Sequence, residues 1–319
     1  MPEEHSVVGS TPTSSILNLV IKIQVYMLVS FVFVQENKHY NNISIFNFSF
    51  RGINRKEDKG MATYVIGDIH GCYNEWVELK DRIESEDSDA KFILVGDIVD
   101  RGPQVFDMIQ WAMKNITTDG KYQMILGNHE DEKIEWWDYC VAPLIKRNKE
   151  CGIMTTIDML PRDRYNFLTV MDNMNFNLKD IEEIINWFKA LPLYKDIKVD
   201  NKRFIIVHAN IPLSAIDIND ENSITKDISD ATRSFMLWDR EAGDFNKIKG
   251  ATLVHGHTPS VFPEAFPIGH KINDSDIGRI VKCKNRFNID CGLVYKEYYS
   301  QCNLAALRLE DSKEIYLYN

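Results

Sequence analysis

Short apolar runs that end in Gly-Asp or Gly-Asn recur in the chain after its first sixty residues. They cover Tyr64–Ile66, Phe92–Val95 and Tyr122–Leu126. Apolar runs of this length, bounded by turn residues, predict buried strands. Residues 73–85 and 104–116 carry apolar side chains at helical spacing, which predicts an amphipathic helix in each interval. Strand–helix units repeated in this way favour a largely parallel sheet with right-handed crossovers.

The pattern changes after the third run. Residues 130–190 contain helix-like apolar spacing and no clear strand, so we predict a helical insertion over one end of the sheet. Strands resume afterwards, with one further helix at residues 227–237. These later strands are predicted at residues 203–208, 251–254, 286–290, 303–309 and 314–318.

Residues 1–60 differ from the sequence that follows. Ile16–Val34 is nineteen residues long and almost wholly apolar, which is enough to span a bilayer as a helix. Met61 begins the sequence MATYVIGD, which has the form of a protein start followed directly by a strand. We therefore predict an extension over residues 1–60 and a main domain over 61–319. An over-extended gene start is the favoured interpretation of the extension, with a membrane anchor at 16–34 or a disordered tail as alternatives.

Composition narrows the class of protein. Of 319 residues, 44% are hydrophobic and 26% charged, which is the balance of a globular protein and excludes wholesale disorder. The formal net charge of −10 disfavours binding to nucleic-acid phosphates, so no nucleic-acid partner is predicted. The six cysteines form no Cys-x-x-Cys pair, which argues against a thiolate zinc site.

Polar side chains that can bind metals follow the ends of the predicted strands. The carboxyl ends of strands in an open α/β sheet converge on one crevice, so these residues are expected to meet. Their oxygen and imidazole donors suit Mn, Fe, Zn, Co or Mg. The candidate ligands are Asp68, His70, Asp97, Asn128, His208 and His257.

Spacing supports a site for two ions. Asp68 and His70 lie two residues apart, so their side chains can point the same way along an extended strand end. Asp97 can bridge two ions, and Asn128, His208 and His257 can complete the second. Two adjacent cations clamp a phosphate and activate water. Each motif alone is weak, since Gly-Asp-x-His is often only a capped turn, but five such motifs at five strand ends favour a shared site.

The motifs GDIHG, GDIVDRG, GNHE, VHA and HGHT resemble, in order, the signature of the calcineurin-like metallophosphoesterases. More narrowly, they resemble serine/threonine phosphoprotein phosphatases of the bacterial and phage type, to which symmetrical diadenosine tetraphosphatases are related. The resemblance covers about Ala62–Asn319. It implies an α/β fold, a four-layer α/β/β/α sandwich with a helical insertion, and a dinuclear site at one edge.

The resemblance also implies roles. Asp68 and His70 would hold one ion, Asp97 would bridge, and Asn128, His208 and His257 would hold the other. His129 matches the general acid, and Asp100 the carboxylate that orients it and keeps it protonated. Arg101 and Arg240 match phosphate-binding arginines. The related phosphatases carry Arg directly before Gly-Asn-His-Glu, whereas this chain has Leu126, so one phosphate contact is expected to be missing.

These observations together predict a metal-dependent phosphoester hydrolase, with residues 61–319 as its catalytic domain. The first expectation is a serine/threonine phosphoprotein phosphatase that uses water activated by two divalent ions. The alternatives are a symmetrical bis(5'-nucleosyl)-tetraphosphatase and a non-catalytic scaffold. Mn is the expected metal, with Fe, Zn, Co, Ni or Mg as alternatives. The protein is expected to be a cytoplasmic monomer, with membrane association only if residues 16–34 are a genuine segment.

Overall fold

A computed structural model describes residues 61–217, 220–240, 250–262, 264, 272–283 and 285–318. The predicted extension over residues 1–60, with its apolar segment at 16–34, lies outside the described residues. Within those ranges, no helix combines the length and the apolar character that crossing a bilayer requires.

Strands and helices alternate in the first half of the described chain, and strands dominate the second. The strands are β1 (Thr63–Ile66), β2 (Lys91–Leu94), β3 (Tyr122–Met124), β4 (Tyr194–Val199), β5 (Lys202–Val207), β6 (Ile216–Asp217), β7 (Asp220–Ile224), β8 (Ala251–His255), β9 (Val281–Cys283), β10 (Arg286–Asn288), β11 (Ala305–Arg308) and β12 (Lys313–Tyr316). The α-helices are α1 (Tyr73–Glu86), α2 (Val105–Asn115), α3 (Asn128–Trp136), α4 (Ala142–Glu150), α5 (Phe167–Asn173), α6 (Leu178–Lys189) and α7 (Asp230–Trp238).

Two five-stranded sheets form the frame. The first has the order β12-β11-β1-β2-β3. Strands β1, β2 and β3 are parallel to one another, and β11 pairs antiparallel with both β1 and β12. The second has the order β4-β5-β8-β10-β9, in which β5, β8 and β10 are parallel and the two edge strands antiparallel. The parallel centre of the first sheet confirms the expectation from the repeated strand–helix units.

Three apolar cores separate four layers. Alternate residues of β1 point to opposite faces, as the period of a strand requires: Tyr64 and Ile66 join the core beneath the helices, while Val65 joins a second core with Ile206 of the other sheet. Ile205 and the α7 residue Met236 belong to a third core on the far face. The layers are therefore helices, sheet, sheet and helix, which is the predicted α/β/β/α sandwich.

The helical insertion and the later strands agree with the sequence in type but not in every position. Helices α3 to α6 fill the interval between β3 and β4, as predicted. The last predicted strands are divided between the sheets: β10 joins the second sheet, whereas β11 and β12 extend the first. The strands β4, β6, β7 and β9 were not predicted.

The ends of the parallel strands place the candidate residues. Loops after β1, β2 and β3 come from the first sheet, and loops after β5 and β8 come from the second. These two sets of strand ends meet, because His208 after β5 contacts Asn128 after β3 at 2.8 Å.

Candidate metal centre

Asp97 lies at the middle of the cluster. Its Oδ2 atom is 3.4 Å from Nε2 of His208, 3.6 Å from Nε2 of His70 and 3.9 Å from Nε2 of His129. Its Oδ1 atom accepts the backbone N–H of His129 at 2.9 Å. A single carboxylate thus faces imidazoles that come from three different loops, which is the arrangement expected of a bridging ligand.

The remaining predicted ligands join this group through direct contacts. Oδ1 of Asn128 lies 2.8 Å from Nε2 of His208 and 2.8 Å from Nδ1 of His257. The backbone N–H of His257 donates to the Asp68 carboxylate at 3.1 Å. The ligand atoms of His70, Asp97 and His129 lie within 4.8 Å of one another, and so do those of Asp97, His208 and His257.

The orientation of three imidazoles fits metal ligands. Nδ1 of His70 donates to the Val99 carbonyl at 2.9 Å, and Nδ1 of His208 donates to the Val95 carbonyl at 2.8 Å. A carbonyl oxygen only accepts, so each ring carries a proton on Nδ1 and directs Nε2 to the cluster. Metal-bound histidines are usually held in this way.

A backbone carbonyl also holds the ring of His257, but it does so through Nε2 instead of Nδ1. Its Nε2 donates to the Trp238 carbonyl at 3.2 Å, which leaves Nδ1 to face Asn128. The three imidazoles together with the oxygens of Asp68, Asp97 and Asn128 therefore form a donor set that fits divalent cations.

The carboxylates also fit a cation site electrostatically. Burial, and then the charge of Asp290, raises the pKa of Asp68 well above its usual range. Burial opposes ionisation of Asp97 too, but His208 and His129 outweigh it and hold the pKa of Asp97 well below its usual range. Divalent cations between Asp68 and Asp97 would offset the repulsion that these buried carboxylates share.

Glycines allow the loops to approach this closely. A Cβ atom at Gly256 would lie 2.0 Å from Oδ1 of Asp68, and one at Gly127 would lie 2.3 Å from the backbone nitrogen of Asp97. Neither distance is sterically possible, so a residue without a side chain is needed at both positions.

Glu130 is a part of the site to which the sequence assigned no role. It is fully buried, and its carboxylate accepts the backbone N–H groups of Asp97 at 2.8 Å, Ile98 at 2.9 Å and Gly127 at 3.1 Å. It therefore fixes the loop that carries Asp97. Its position in the Gly-Asn-His-Glu motif could have identified Glu130 from the sequence.

His129 differs from the other imidazoles because a side-chain carboxylate holds it. Its Nδ1 lies 2.7 Å from Oδ2 of Asp100, and its Nε2 lies 3.0 Å from Nη2 of Arg101. The first contact is the orienting pair that the sequence predicted. Burial lowers the pKa of His129 well below its usual range, and Arg101 and Lys133 act in the same direction. Asp100 therefore orients the ring.

Both predicted phosphate-binding arginines lie beside the cluster. Arg101 Nη1 is 3.1 Å from Nε2 of His70 and donates to the Tyr295 hydroxyl at 3.0 Å. Arg240 Nη1 donates to the His257 carbonyl at 3.0 Å. Leu126, by contrast, belongs to the core beneath the helices. A buried leucine offers no polar group to a phosphate, and the missing phosphate contact stays a prediction.

The structure brings all ten predicted site residues into one connected cluster. They are Asp68, His70, Asp97, Asp100, Arg101, Asn128, His129, His208, Arg240 and His257. Sequence reasoning missed Asp290, which is buried beside them and whose pKa burial raises to about 6. It also missed Lys133 and Tyr165, which lie behind His129.

Known proteins resemble this chain in sequence. A family model described as calcineurin-like phosphoesterase matches residues 61–288. The symmetrical bis(5'-nucleosyl)-tetraphosphatase of Proteus mirabilis is 31% identical over 152 residues, which are 47% of this chain and 45% of that protein. The enzyme of the same name from Salmonella typhimurium is 32% identical over 152 residues, 47% of this chain and 44% of the relative. The match thus spans about half the length of these curated relatives.

Solved structures are similar at lower sequence identity. A protein serine/threonine phosphatase from Saccharomyces cerevisiae has a TM-score of 0.48 at 14% identity, covering 80% of this chain and 78% of its own. A metallophosphoesterase from Sphaerobacter thermophilus has a TM-score of 0.39 at 15% identity, covering 80% of this chain and 87% of its own.

Proposed function

This chain belongs to the calcineurin-like phosphoesterase family, and we propose that it hydrolyses phosphate esters at the centre built around Asp97. One observation carries the proposal. Three imidazoles are anchored by backbone carbonyls, as metal ligands are, whereas His129 is anchored by the Asp100 carboxylate. The cluster therefore separates ligands from a group that can transfer a proton.

The ligand set accommodates two divalent cations, with Mn as the proposed metal. Asp68 and His70 would hold one, Asn128, His208 and His257 the other, and Asp97 would serve both. When bound, such ions supply positive charge to the phosphoryl oxygens and lower the pKa of a water molecule.

The chain's own residues complete the site. Arg101 and Arg240 present guanidinium groups beside the cluster, where they bind the phosphoryl oxygens and stabilise the charge that develops there. The pKa of His129 lies low in the structure, and a bound phosphoryl group would raise it by its negative charge. Asp100 accepts from Nδ1 of His129, which leaves Nε2 to give a proton to the leaving oxygen.

Replacement of His129 tests its role. His129→Asn should lower turnover roughly 10²–10⁴-fold, because this is the typical contribution of a general acid. Bound metal, measured by mass spectrometry, should stay unchanged, since the side chain is not a proposed ligand. Loss of metal in step with activity would show instead that His129 is a ligand.

For the substrate, we propose a phosphoserine or phosphothreonine side chain. The resemblance of GDIVDRG, GNHE and the Leu-Trp-Asp-Arg-Glu segment to bacterial and phage phosphoprotein phosphatases supports this choice. A symmetrical dinucleoside tetraphosphate is the second candidate, because the curated relatives at 31–32% identity carry that activity in their names.

Both candidates can be tested with one preparation. The protein with Mn is given a phosphoserine peptide, a phosphothreonine peptide and diadenosine tetraphosphate, and kcat/KM is measured for each. We expect the phosphopeptides to give the higher value. A higher value for diadenosine tetraphosphate would establish the second candidate, and no hydrolysis by metal-loaded protein would make the chain a scaffold.

A further inference from the structure

Lys133 is a fully buried lysine one helical turn after His129. Its exposed fraction is 0%, and both residues lie on α3. Side chains four residues apart share one face of a helix, so the ammonium group and the imidazole point to the same region. Lysine is almost never fully buried unless it is paired, and the partners of Lys133 therefore need to be identified.

Three carboxylates surround the ammonium group. Nζ of Lys133 lies 2.8 Å from Oδ2 of Asp100, 3.3 Å from Oδ2 of Asp163 and 3.9 Å from Oε2 of Glu132. Burial opposes the charge of Lys133, but these three carboxylates outweigh it and raise its pKa. The side chain remains a cation inside the protein.

The contact with Asp100 connects Lys133 to the proposed proton donor. Oδ2 of Asp100 faces both Nδ1 of His129 at 2.7 Å and Nζ of Lys133 at 2.8 Å. Asp100 is itself fully buried, and its other carboxylate oxygen, Oδ1, has no hydrogen-bond partner among the described residues, so these two contacts direct the carboxylate.

A second connection comes from the loop before α5. Asp163 accepts the backbone N–H groups of Tyr165 at 3.1 Å and Leu168 at 2.9 Å, which ties the loop to the start of that helix. The Tyr165 ring lies 4.7 Å from the His129 ring and 4.9 Å from Nζ of Lys133. Lys133 thus holds the loop whose aromatic ring packs on the imidazole.

We propose that Lys133 is a positioning residue that holds His129 in place through Asp100 and through the loop of Asp163 and Tyr165. The inference rests on the proposed role of His129 as the proton donor. Lys133 itself touches neither substrate nor metal. Its removal frees the Asp100 carboxylate to turn and releases Tyr165 from the face of the imidazole, so Nε2 is no longer aimed at the leaving oxygen.

When a general acid is misaligned, the loss of rate depends on the leaving group of the substrate. Phenyl phosphate releases a basic oxygen that needs a proton, whereas p-nitrophenyl phosphate releases a stable anion that needs little help. Loss of alignment therefore slows the first substrate more than the second. A general loss of folded protein slows both equally.

The test compares Lys133→Met with Lys189→Met in the full chain with Mn. Lys189 also pairs with a carboxylate, Asp138 at 2.6 Å, but at the exposed surface of the insertion. For Lys133→Met we expect kcat on phenyl phosphate to fall about 10- to 100-fold, the size of effect that a small misplacement of a catalytic group produces. The loss on p-nitrophenyl phosphate should be much smaller, and Lys189→Met should change neither.

Further variants separate the possible failures. If His129→Asn slows both substrates equally, the proposed function of His129 fails, whatever Lys133 does. If His129→Asn is selective for phenyl phosphate and Lys133→Met is not, the inference about Lys133 fails alone. In the His129→Asn background, Lys133→Met should cost little more, because residues that act as a unit are not additive.

Folding is checked by thermal melting of each variant. If Lys133→Met does not fold, the double variant Lys133→Met/Asp163→Asn takes its place in the assay. The double variant removes one buried cation together with one buried carboxylate. Equal losses on both substrates in the double variant, or its failure to fold, would assign Lys133 to stability and overturn the proposal.

Discussion

Five residues of the centre hold a backbone conformation that side chains disfavour. A positive φ occurs at His70, Asp97, Asp100, Arg101 and His257. Each residue in this conformation destabilises the fold by about 1–3 kcal/mol, and contacts in the surrounding structure must offset that free energy. Glu130 is one source, because its carboxylate accepts four backbone N–H groups around Asp97. These hydrogen bonds thus help to hold the ligand-bearing loop in its strained conformation.

At the same scale, replacement of Asp97 tests the bridging assignment. Asp97→Asn should impair occupancy of both ions, because its carboxylate is proposed to serve the pair and to supply negative charge to both cations. Metal per chain, measured by mass spectrometry after dialysis, reports this directly. Asp138→Asn, an exposed control, should retain both ions. Full metal content in Asp97→Asn would contradict the assignment.

The sequence predicted the residues of the site correctly where they belong to a recognisable motif. Nine of the ten site residues stood directly after predicted strands, which favoured their convergence, whereas Arg240, which follows α7, was assigned through the resemblance. Lys133 could have been found from its spacing to His129, but nothing local marks it as buried. Its link to Asp163 joins residues thirty positions apart through packing of the insertion, and local patterns contain no information on such a contact.

At the scale of elements, helix α6 of the insertion is amphipathic and is capped at its N-terminus. Helix α6 buries Ile181, Ile184, Ile185 and Phe188 on one face. Its first turn is capped by Asn177, whose side chain accepts the backbone N–H groups of Lys179 at 2.8 Å and Asp180 at 3.2 Å.

Asn177→Ala should therefore lower the free energy of unfolding by about 0.5–2 kcal/mol, the usual cost of losing an N-cap. Urea denaturation measures the change, and activity at 25 °C should be retained because α6 supplies no site residue. Lys179→Ala on the same exposed turn should have an effect below about 0.5 kcal/mol. An equal effect in the two variants would contradict the role of the cap.

Elements that the sequence missed are short or lie at edges. Strand β4 reads Tyr-Lys-Asp-Ile-Lys-Val and is only partly buried at the edge of the second sheet. Its polar residues hide the alternation that marks a strand. Strand β9 has three residues, too few for any periodicity. The buried central strands of both sheets were predicted because continuous apolar runs identify them.

At the scale of the whole molecule, two sheets pack so that the ends of their parallel strands meet. The first sheet supplies Asp97 and the second supplies His208, which lie 3.4 Å apart. The core between the sheets therefore sets the distance between ligands. Sequence patterns predicted one parallel sheet, and the second sheet followed only from the resemblance, because strand pairing between distant segments is a tertiary property.

All ten site residues follow Met61, which gives a prediction for the extension. A protein that starts at Met61 should fold and hydrolyse phosphate esters at the rate of the full chain, since the first strand begins at Thr63. Thermal melting and turnover of the two forms make the comparison. A truncated protein that folds but has lost activity would contradict the predicted boundary at residue 60.

The central claim is that divalent ions at the Asp97 cluster enable phosphoester hydrolysis. Its most direct test is a titration of chelator-treated protein with Mn, in which bound metal per chain and the rate on p-nitrophenyl phosphate are measured in the same samples. We predict no turnover without metal and a rate that rises to a plateau at two ions per chain. Full turnover of the metal-free protein, or two bound ions with no hydrolysis, would contradict it.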